Sequence, residues 1–471
     1  MINMEDKLKI KFGTDGWRAI IAQEYTTENV ARVTQAVCIW LKAKSDSPTI
    51  IIGHDCRFGG ALFTEVAVNV FCANGVKVIM DKKFVSTPMI SFAVLQHKAD
   101  QGIVITASHN PASYNGYKLK SPHGGPTAPA QIQEVEDLIP NTSVEIVGNI
   151  EDYEEKGLIE YKDLEQEYFD YLNEKFDIKK LQDSHLKLAY DSMYGAGQNI
   201  MQRLFPNAVH LHNHVNPSFK GTAPEPLHKN LQKLSKTIAA TEELKYGFAN
   251  DGDADRIALY DEDGNYVDSH HIILMLIHYL HKYKNMTGKV AIAASTSLRV
   301  NKMCAAYGLE CEVTPVGFKY ISEIMSRENV LVGGEESGGI AVAGHIPERD
   351  GIYDGILLYE FMNETGKTVN DLCEEVYEVV GAFTYDRNDL HVTNELKLAA
   401  IEKCQNGIEA FGKYTVEETI TIDGYKFVLP NDCWTMVRAS GTEPVLRIYA
   451  EGNTPGECAD ILETVRKVLG V

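Results

Sequence analysis

The chain has 471 residues, 44% of them hydrophobic and 24% charged, with 45 Lys and Arg against 66 Asp and Glu. These fractions exclude a disordered or fibrous chain, and the length predicts three or four domains, since single cores stop growing at roughly 250–300 residues. A net charge of −21 excludes a general nucleic-acid or anionic-membrane binder, but not a small anionic substrate drawn by local positive charge.

The first ten residues carry no apolar leader region. The longest apolar stretch, from Ile272 to Leu280, is broken by His278 and too short to span a bilayer, so a cytoplasmic protein is expected. Nine scattered cysteines form no C-x-x-C pair and are odd in number, which predicts free buried thiols rather than disulfides or a zinc site.

In chain order, one pattern recurs three times: strand, polar Gly- or Ser-containing loop, helix, second strand. The first copy begins at Thr49-Ile-Ile-Ile-Gly-His-Asp-Cys-Arg-Phe-Gly-Gly, continues as a helix over 61–73 and closes with a strand over 76–80. The second begins at Leu186-Lys-Leu-Ala-Tyr-Asp and leads into a helix over 198–204. The third begins at Lys289-Val-Ala-Ile-Ala, with a helix to Ala306 and a strand over 309–313. Such spacing predicts βαβ units with mostly parallel pairing and ligand-binding loops at the C-terminal strand ends. The C-terminus differs, with strands over 432–437 and 445–450 followed by a helix whose start is marked by Thr454, Pro455 and Glu457. Its apolar face is Ile461, Leu462, Val465, Val468 and Leu469. The expected fold is therefore three similar mixed α/β domains plus a C-terminal α+β domain around a central cleft. Domain spans of 1–150, 151–266, 267–378 and 379–471 are expected, although no Pro- or Ser-rich linker marks them.

Four loops carry chemistry. Thr106-Ala-Ser-His-Asn-Pro111 follows a strand, and its Asn-Pro step pulls Asn110 out of helix, presenting Ser108 beside His109 with Asn115-Gly-Tyr-Lys118 close behind. Asn250-Asp-Gly-Asp-Ala-Asp-Arg256 sets three carboxylates at alternate positions, which must repel or share a cation. Asp251, Asp253, Asp255 and Glu262 mimic EF-hand spacing, but Arg256 stands where the loop needs Gly and a strand-like segment follows, so Mg²⁺ is expected instead of EF-hand calcium. Gly333-Gly-Glu-Glu-Ser-Gly-Gly339, with Arg349-Asp-Gly351 behind it, offers acceptor and donor groups for vicinal hydroxyls. Arg438-Ala-Ser-Gly-Thr-Glu-Pro444, with Arg447, is a phosphate cradle that does not match the Walker pattern.

In this order, together with the opening Phe12-Gly-Thr-Asp-Gly-Trp-Arg18, the four loops resemble the α-D-phosphohexomutase family along essentially the whole chain. The resemblance implies four domains around one cleft and a phosphorylated serine, here Ser108. It implies Mg²⁺ held by Asp251, Asp253, Asp255 and that phosphoserine. The phosphoryl group would pass to a hexose 1- or 6-phosphate, giving a bound 1,6-bisphosphate that turns around and returns its other phosphate. Arg18 and Arg256 would stabilise the transferring group, and Lys118 and His109 both qualify as the proton-transfer group. Glu335 and Ser337 would grip the sugar hydroxyls, with Lys319 and Arg349 adding cationic contacts. Arg438, Ser440, Gly441, Thr442 and Arg447 would hold the remote phosphate.

The Glu335-Glu-Ser337 string looks like the phosphoglucomutase form, and Gly339 stands where mannose and glucosamine branches carry His. The opening motif and the Arg438 loop look like the broader phosphoglucomutase/phosphomannomutase group, and Arg349 departs from the Lys of dedicated phosphoglucomutases. The expected activity is interconversion of glucose 1-phosphate and glucose 6-phosphate, primed by glucose 1,6-bisphosphate; a phosphomannomutase or dual glucose/mannose mutase is the alternative. A metal-dependent sugar phosphatase and a non-catalytic sugar-phosphate binder are the rivals from other classes. The expected partner is a hexose phosphate, with no nucleic acid or membrane, in a monomer or homo-oligomer. His210, His212 and His214 could line a strand face but lack a further ligand for zinc, Asp261–Asn265 reads as a hairpin turn, and the acidic run 151–155 as a solvated segment.

Overall fold

The computed structural model describes residues 9–13, 15–439 and 445–471. They form two compact units: residues up to 267 with 322–328 and 338–369, and residues 268–321 with 329–337 and 370–471.

The first unit holds two mixed sheets. In the first sheet Thr49–His54 lies at the centre, parallel to Gln101–Ile105 on one side and Lys77–Met80 on the other. Ile50, Ile51 and Ile52 are all fully buried, the double-faced burial that a run of β-branched residues in a parallel strand requires. Tyr114–Lys120 and then Trp17–Ile20 extend this sheet antiparallel. Ile159–Tyr161 completes the other edge, so the first sheet reaches past residue 150. The acidic run before it is a short helix, Ile150–Glu155, capped by Asn149, and it buries Tyr153 in the first core. Tyr153, with the partly buried Ile150 beside it, anchors to the core a segment whose charge reads as solvated.

In the second sheet Lys187–Asp191 is flanked by parallel Val209–Leu211 and Leu244–Asn250, with Ile257–Tyr260 and Tyr266–Val267 antiparallel beyond. The turn over 261–265 closes on Asp261, whose Oδ1 accepts from the backbone N–H groups of Asp263 and Asn265. The second strand of this sheet stops at Leu211, and His212 turns into the left-handed region to pair with Asp191, so the three histidines do not share a strand face.

The second unit carries a parallel group, Cys311–Thr314, Lys289–Ala293 and Val330–Gly334. It also carries an antiparallel sheet ordered Thr384–His391, Val445–Gly452, Trp434–Ala439, Tyr425–Val428 and Glu418–Ile420. The Trp434 strand starts two residues later than its sequence suggests, because Asn431 and Asp432 adopt positive φ as turn residues. The terminal helix Pro455–Leu469 begins as expected, with Thr454 accepting from the Glu457 N–H. Glu457 returns its carboxylate to the N–H of Asn453 rather than of Thr454, and Val468 is 37% exposed, off the buried face. Three α/β domains and a C-terminal α+β domain are thus present. All nine cysteines are free thiols, eight of them buried. Among the described residues no helix is long and apolar enough to cross a membrane.

Candidate active site

The loop after Gln101–Ile105 leaves the sheet at the C-terminal end of a parallel strand, where open α/β sheets place their ligands. Ser108 sits there with φ at 52°, a left-handed conformation that costs a non-glycine residue free energy unless its surroundings hold it. They do. Its N–H donates to Thr106 Oγ1 at 2.8 Å. The Arg57 guanidinium donates to the carbonyls of Ser108, Asn110, Pro111 and Tyr114, at 2.5, 2.6, 2.9 and 3.2 Å. Arg57 is itself fixed by Asp55, 3.3 Å from its Nε, and Asp55 accepts from the Thr106 hydroxyl. Ser108 Oγ donates to Asp251 Oδ2 at 2.7 Å and lies 3.2 Å from His109 Nδ1.

Asp251, Asp253 and Asp255 follow Leu244–Asn250, and one carboxylate oxygen from each lies within 4.8 Å of the others, all buried. Asp251 Oδ1 accepts from the N–H groups of Asp255 and Arg256, which folds the loop around it. Ala254 takes positive φ to complete the turn. Burial first, then repulsion from Asp253 and Asp255, pushes the Asp251 carboxyl well above its ordinary value. Burial would do the same to Asp253, but Lys118 and the Thr87 hydroxyl outweigh it and hold the carboxyl below. Among the described residues, Asp253 Oδ1 and Asp255 Oδ1 have no hydrogen-bond partner. Three hard oxygen donors in one buried loop, two with orphaned atoms, fit a divalent cation.

Lys118, on Tyr114–Lys120, reaches Asp15 at 2.8 Å, Asp253 at 2.8 Å and Asp255 at 2.9 Å. Burial would lower its ammonium, but the three carboxylates outweigh that and raise it. His109 goes the other way: burial, then the nearby Arg256, Arg18, Arg57 and Lys118, hold its imidazole well below the usual range and neutral. Arg18 donates to Asn110 Oδ1 at 2.9 Å, and Arg256 Nε is buried without a partner among the described residues. Arg349, expected with the sugar-binding group, lies in the first unit, where its Nη2 meets Asp15 at 2.5 Å and Asp255 at 2.8 Å. A Cβ on Gly339 would stand 2.4 Å from its Cδ, so the missing side chain there is what lets Arg349 lie across that segment.

The other expected residues belong to the second unit. Glu335 is buried at the end of Val330–Gly334 and accepts from the N–H of Gly317 at 2.9 Å; Ser337 and Lys319 are half-buried. Arg438 and Arg447 face each other across neighbouring antiparallel strands, a like-charge pair that is unfavourable unless something negative lies between or beside them. Asp423 takes Arg438 Nε at 3.0 Å, and Asp389 lies 3.4 Å from Arg447 Nε. Ser440, Gly441 and Thr442 lie outside the described residues.

Sequence reasoning passed over Asp15, Asp55 and Arg57. Asp15 takes Lys118 and Arg349, and burial's upward pull on its carboxyl is outweighed by Lys118, Lys120, Arg349 and Arg18. All three lie in stretches that stood out, the opening motif and the Gly-containing loop after Thr49–His54. The position of that loop at a parallel strand's C-terminal end was the available signal.

Against known proteins, four domain families match in order: phosphoglucomutase/phosphomannomutase domain I over residues 9–145, domain II over 166–264, domain III over 268–380 and the C-terminal domain over 390–468. A Methanosphaera stadtmanae protein named "Probable phosphoglucosamine mutase" is 30% identical over 447 residues, 94% of each chain. A Thermococcus kodakarensis "Phosphoglucomutase/phosphomannomutase" is 28% identical, covering 97% of this chain and 98% of its own. A Thermus thermophilus crystal structure named after phosphomannomutase superposes with a TM-score of 0.88 at 30% identity, covering 99% of this chain and 100% of its own. The chain belongs to the phosphoglucomutase/phosphomannomutase family, the phosphohexomutases, which are isomerases that work by phosphoryl transfer.

Proposed function

We propose that the chain interconverts glucose 1-phosphate and glucose 6-phosphate through a phosphoserine at Ser108 and a hexose 1,6-bisphosphate, with glucose 1,6-bisphosphate as primer. The observation that carries this reading is the 2.7 Å contact between Ser108 Oγ and Asp251, inside a buried aspartate triad, on a loop whose backbone is held in a left-handed turn. A hydroxyl so fixed is positioned before any substrate arrives, and phosphoryl transfer asks mainly for positioning and charge stabilisation.

Asp251, Asp253 and Asp255, with the Ser108 oxygen, would hold Mg²⁺, which when bound neutralises charge on the transferring phosphoryl group. In the first half-reaction the Ser108 O–P bond breaks as a sugar hydroxyl oxygen bonds to phosphorus, and the hydroxyl proton leaves. Of the two proton-transfer candidates the surroundings favour His109, neutral and 3.2 Å from Ser108 Oγ. Lys118 spends its N–H groups on three carboxylates and serves as a fixed cation, as do Arg18 and Arg256. In the second unit Glu335 and Ser337 would take sugar hydroxyls, Lys319 a further contact, and Arg438 and Arg447 the non-reacting phosphate, together with Ser440, Gly441 and Thr442. Arg349, tied to Asp15 and Asp255, would act on the phosphoryl-transfer side.

Glucose is favoured by Gly339, whose space is crossed by Arg349. The names of the relatives keep mannose and glucosamine in the test. Turnover on the 1-phosphates of glucose, mannose and glucosamine, with primer supplied, should be highest for glucose, and intact mass should show one phosphate on Ser108. Release of inorganic phosphate without isomerised product would instead make the protein a phosphatase, and wild-type turnover by Ser108→Ala would end the covalent mechanism.

A further inference from the structure

Glu336 stands between the two residues proposed to grip the sugar, yet its own carboxylate is engaged elsewhere. Its Oε1 accepts from the Tyr385 hydroxyl and from Arg387 Nη1, both at 2.8 Å. Its main-chain oxygen accepts from Ser269 Oγ at 2.5 Å, which fixes the backbone at the same point. Tyr385, Arg387 and Asp389 alternate along the strand Thr384–His391, so all three project from one face. The contacts continue along that face. Arg387 Nη2 meets Asp389 Oδ2 at 3.0 Å, and Asp389 Oδ1 lies 3.4 Å from Nε of Arg447, its direct neighbour on the adjoining strand. Signs alternate without a break, from Glu336 through Arg387 and Asp389 to Arg447. The Glu336 and Arg387 side chains are only 11% and 20% exposed, so water screens this first link weakly.

A loop that only needed to present Glu335 and Ser337 has no use for a charged residue between them. A neutral side chain would satisfy the turn without desolvating a carboxylate. We propose that Glu336 is a positioning residue: the ion-pair run Glu336–Arg387–Asp389–Arg447 fixes the sugar-gripping loop and the phosphate-holding Arg447 relative to each other. The proposal rests on the functional reading above, which assigns those two tasks to Glu335 with Ser337 and to Arg447. One substrate must be gripped at both places in each of two orientations, and a rigid link keeps their spacing constant through both.

Steady-state kinetics of Glu336→Gln, Arg387→Met and the double variant test this, alongside competitive inhibition by inorganic phosphate. Each single variant should raise KM for the hexose phosphate roughly tenfold while kcat changes about twofold or less, because ground state and transition state lose the same grip. The double variant should be no worse than either single, since the residues act as one unit. The phosphate inhibition constant should also rise in Glu336→Gln, though Glu336 lies two links from Arg447; a purely structural role would lower the melting temperature and leave that constant alone. Asp389→Asn, at a link whose carboxylate side chain is 40% exposed, should shift both constants in the same direction. Unchanged KM and phosphate inhibition in an active enzyme, or additive effects in the double variant, overturn the link alone. Absence of wild-type mutase turnover on all three hexose 1-phosphates overturns the functional reading, and with it the link's purpose.

Discussion

The Arg57 guanidinium donates from Nη2 to the main-chain oxygen of Ser108 at 2.5 Å and, from Nη1 and Nη2, to three more carbonyls of the same loop. One planar, always-charged group thus donates to four carbonyls of one loop at once, which no lysine can imitate. Arg57→Lys should keep the charge beside Asp55 but lose the fan, and kcat should fall by about a hundredfold, the scale of a 1 Å misplacement of a reacting group. Arg57→Met should in addition strand Asp55 as a buried charge and cost about 3–5 kcal/mol of stability. Urea midpoints and kcat for the two variants separate these effects; a lysine variant within twofold of wild type would remove Arg57 from the catalytic account.

Asp55 gives the loop a pH limit. Burial, opposed by Arg57 and Thr106, pushes its carboxyl up to about 6, from an ordinary value of 3.8. The folded pKa exceeds the unfolded one, so the folded state holds the proton more tightly and this group's contribution to stability is full in acid. That contribution is lost as pH rises through about 4 to 6, by roughly 3 kcal/mol. Activity runs the opposite way: below about pH 6 the protonated Asp55 no longer pairs with Arg57, and the Ser108 loop loosens. A kcat profile should therefore show an acid limb with its midpoint near 6 while the melting temperature does not drop across the same range. In Asp55→Asn that limb should vanish, leaving a low, flat kcat. A limb that survives the substitution belongs to another group.

The four loops and the repeated strand–loop–helix order were legible because each lies within about a dozen consecutive residues and obeys local rules of periodicity and turn chemistry. The cross-links were not. Arg349 meets Asp15 across 334 residues, and Lys118 meets Asp253 across 135, distances at which composition and spacing carry no information. At Lys118 the sequence leaves the proton-transfer role open between it and His109, because the three carboxylates around the Lys118 ammonium come from two distant segments. Glu336 is hidden in the sequence for the opposite reason: it sits inside a recognisable string with Glu335 and Ser337, while its partner strand begins some fifty residues later.

The glycine between Asp251 and Asp253 is set by space. A Cβ on Gly252 would stand 2.5 Å from the Ser108 carbonyl oxygen, the oxygen that Arg57 holds, and 3.1 Å from Pro224 Cγ. Gly252→Ala should push the two loops apart, at about 1–3 kcal/mol of stability, and should lower kcat as Ser108 Oγ leaves Asp251. Gly456→Ala is the control. That glycine lies in the helix Pro455–Leu469 with nothing within 4 Å of the added carbon, so the substitution should stabilise by about 0.5–1 kcal/mol with kcat unchanged. Thermal melts and kcat for the pair decide whether the Gly252 effect is local to the Ser108 contact.

The orphaned oxygens of Asp253 and Asp255 predict how the protein answers to metal. Three buried carboxylates repel one another, and Lys118 reaches only two of them, leaving Asp251 with its charge disfavoured by burial and by its neighbours. A divalent cation bound there stabilises the folded state by RT ln(1 + [L]/Kd), about 2.7 kcal/mol at a hundredfold excess over Kd. Chelation followed by Mg²⁺ titration should therefore raise the melting temperature in a saturable way and restore turnover over the same concentration range. Asp253→Asn keeps the shape of the loop but removes a charged donor, so it should lose both responses together. A variant such as Glu151→Gln, on the exposed helix Ile150–Glu155, should keep both. Should Mg²⁺ restore turnover without moving the melting temperature of the wild type, the ion acts on the substrate in solution and not in the aspartate loop.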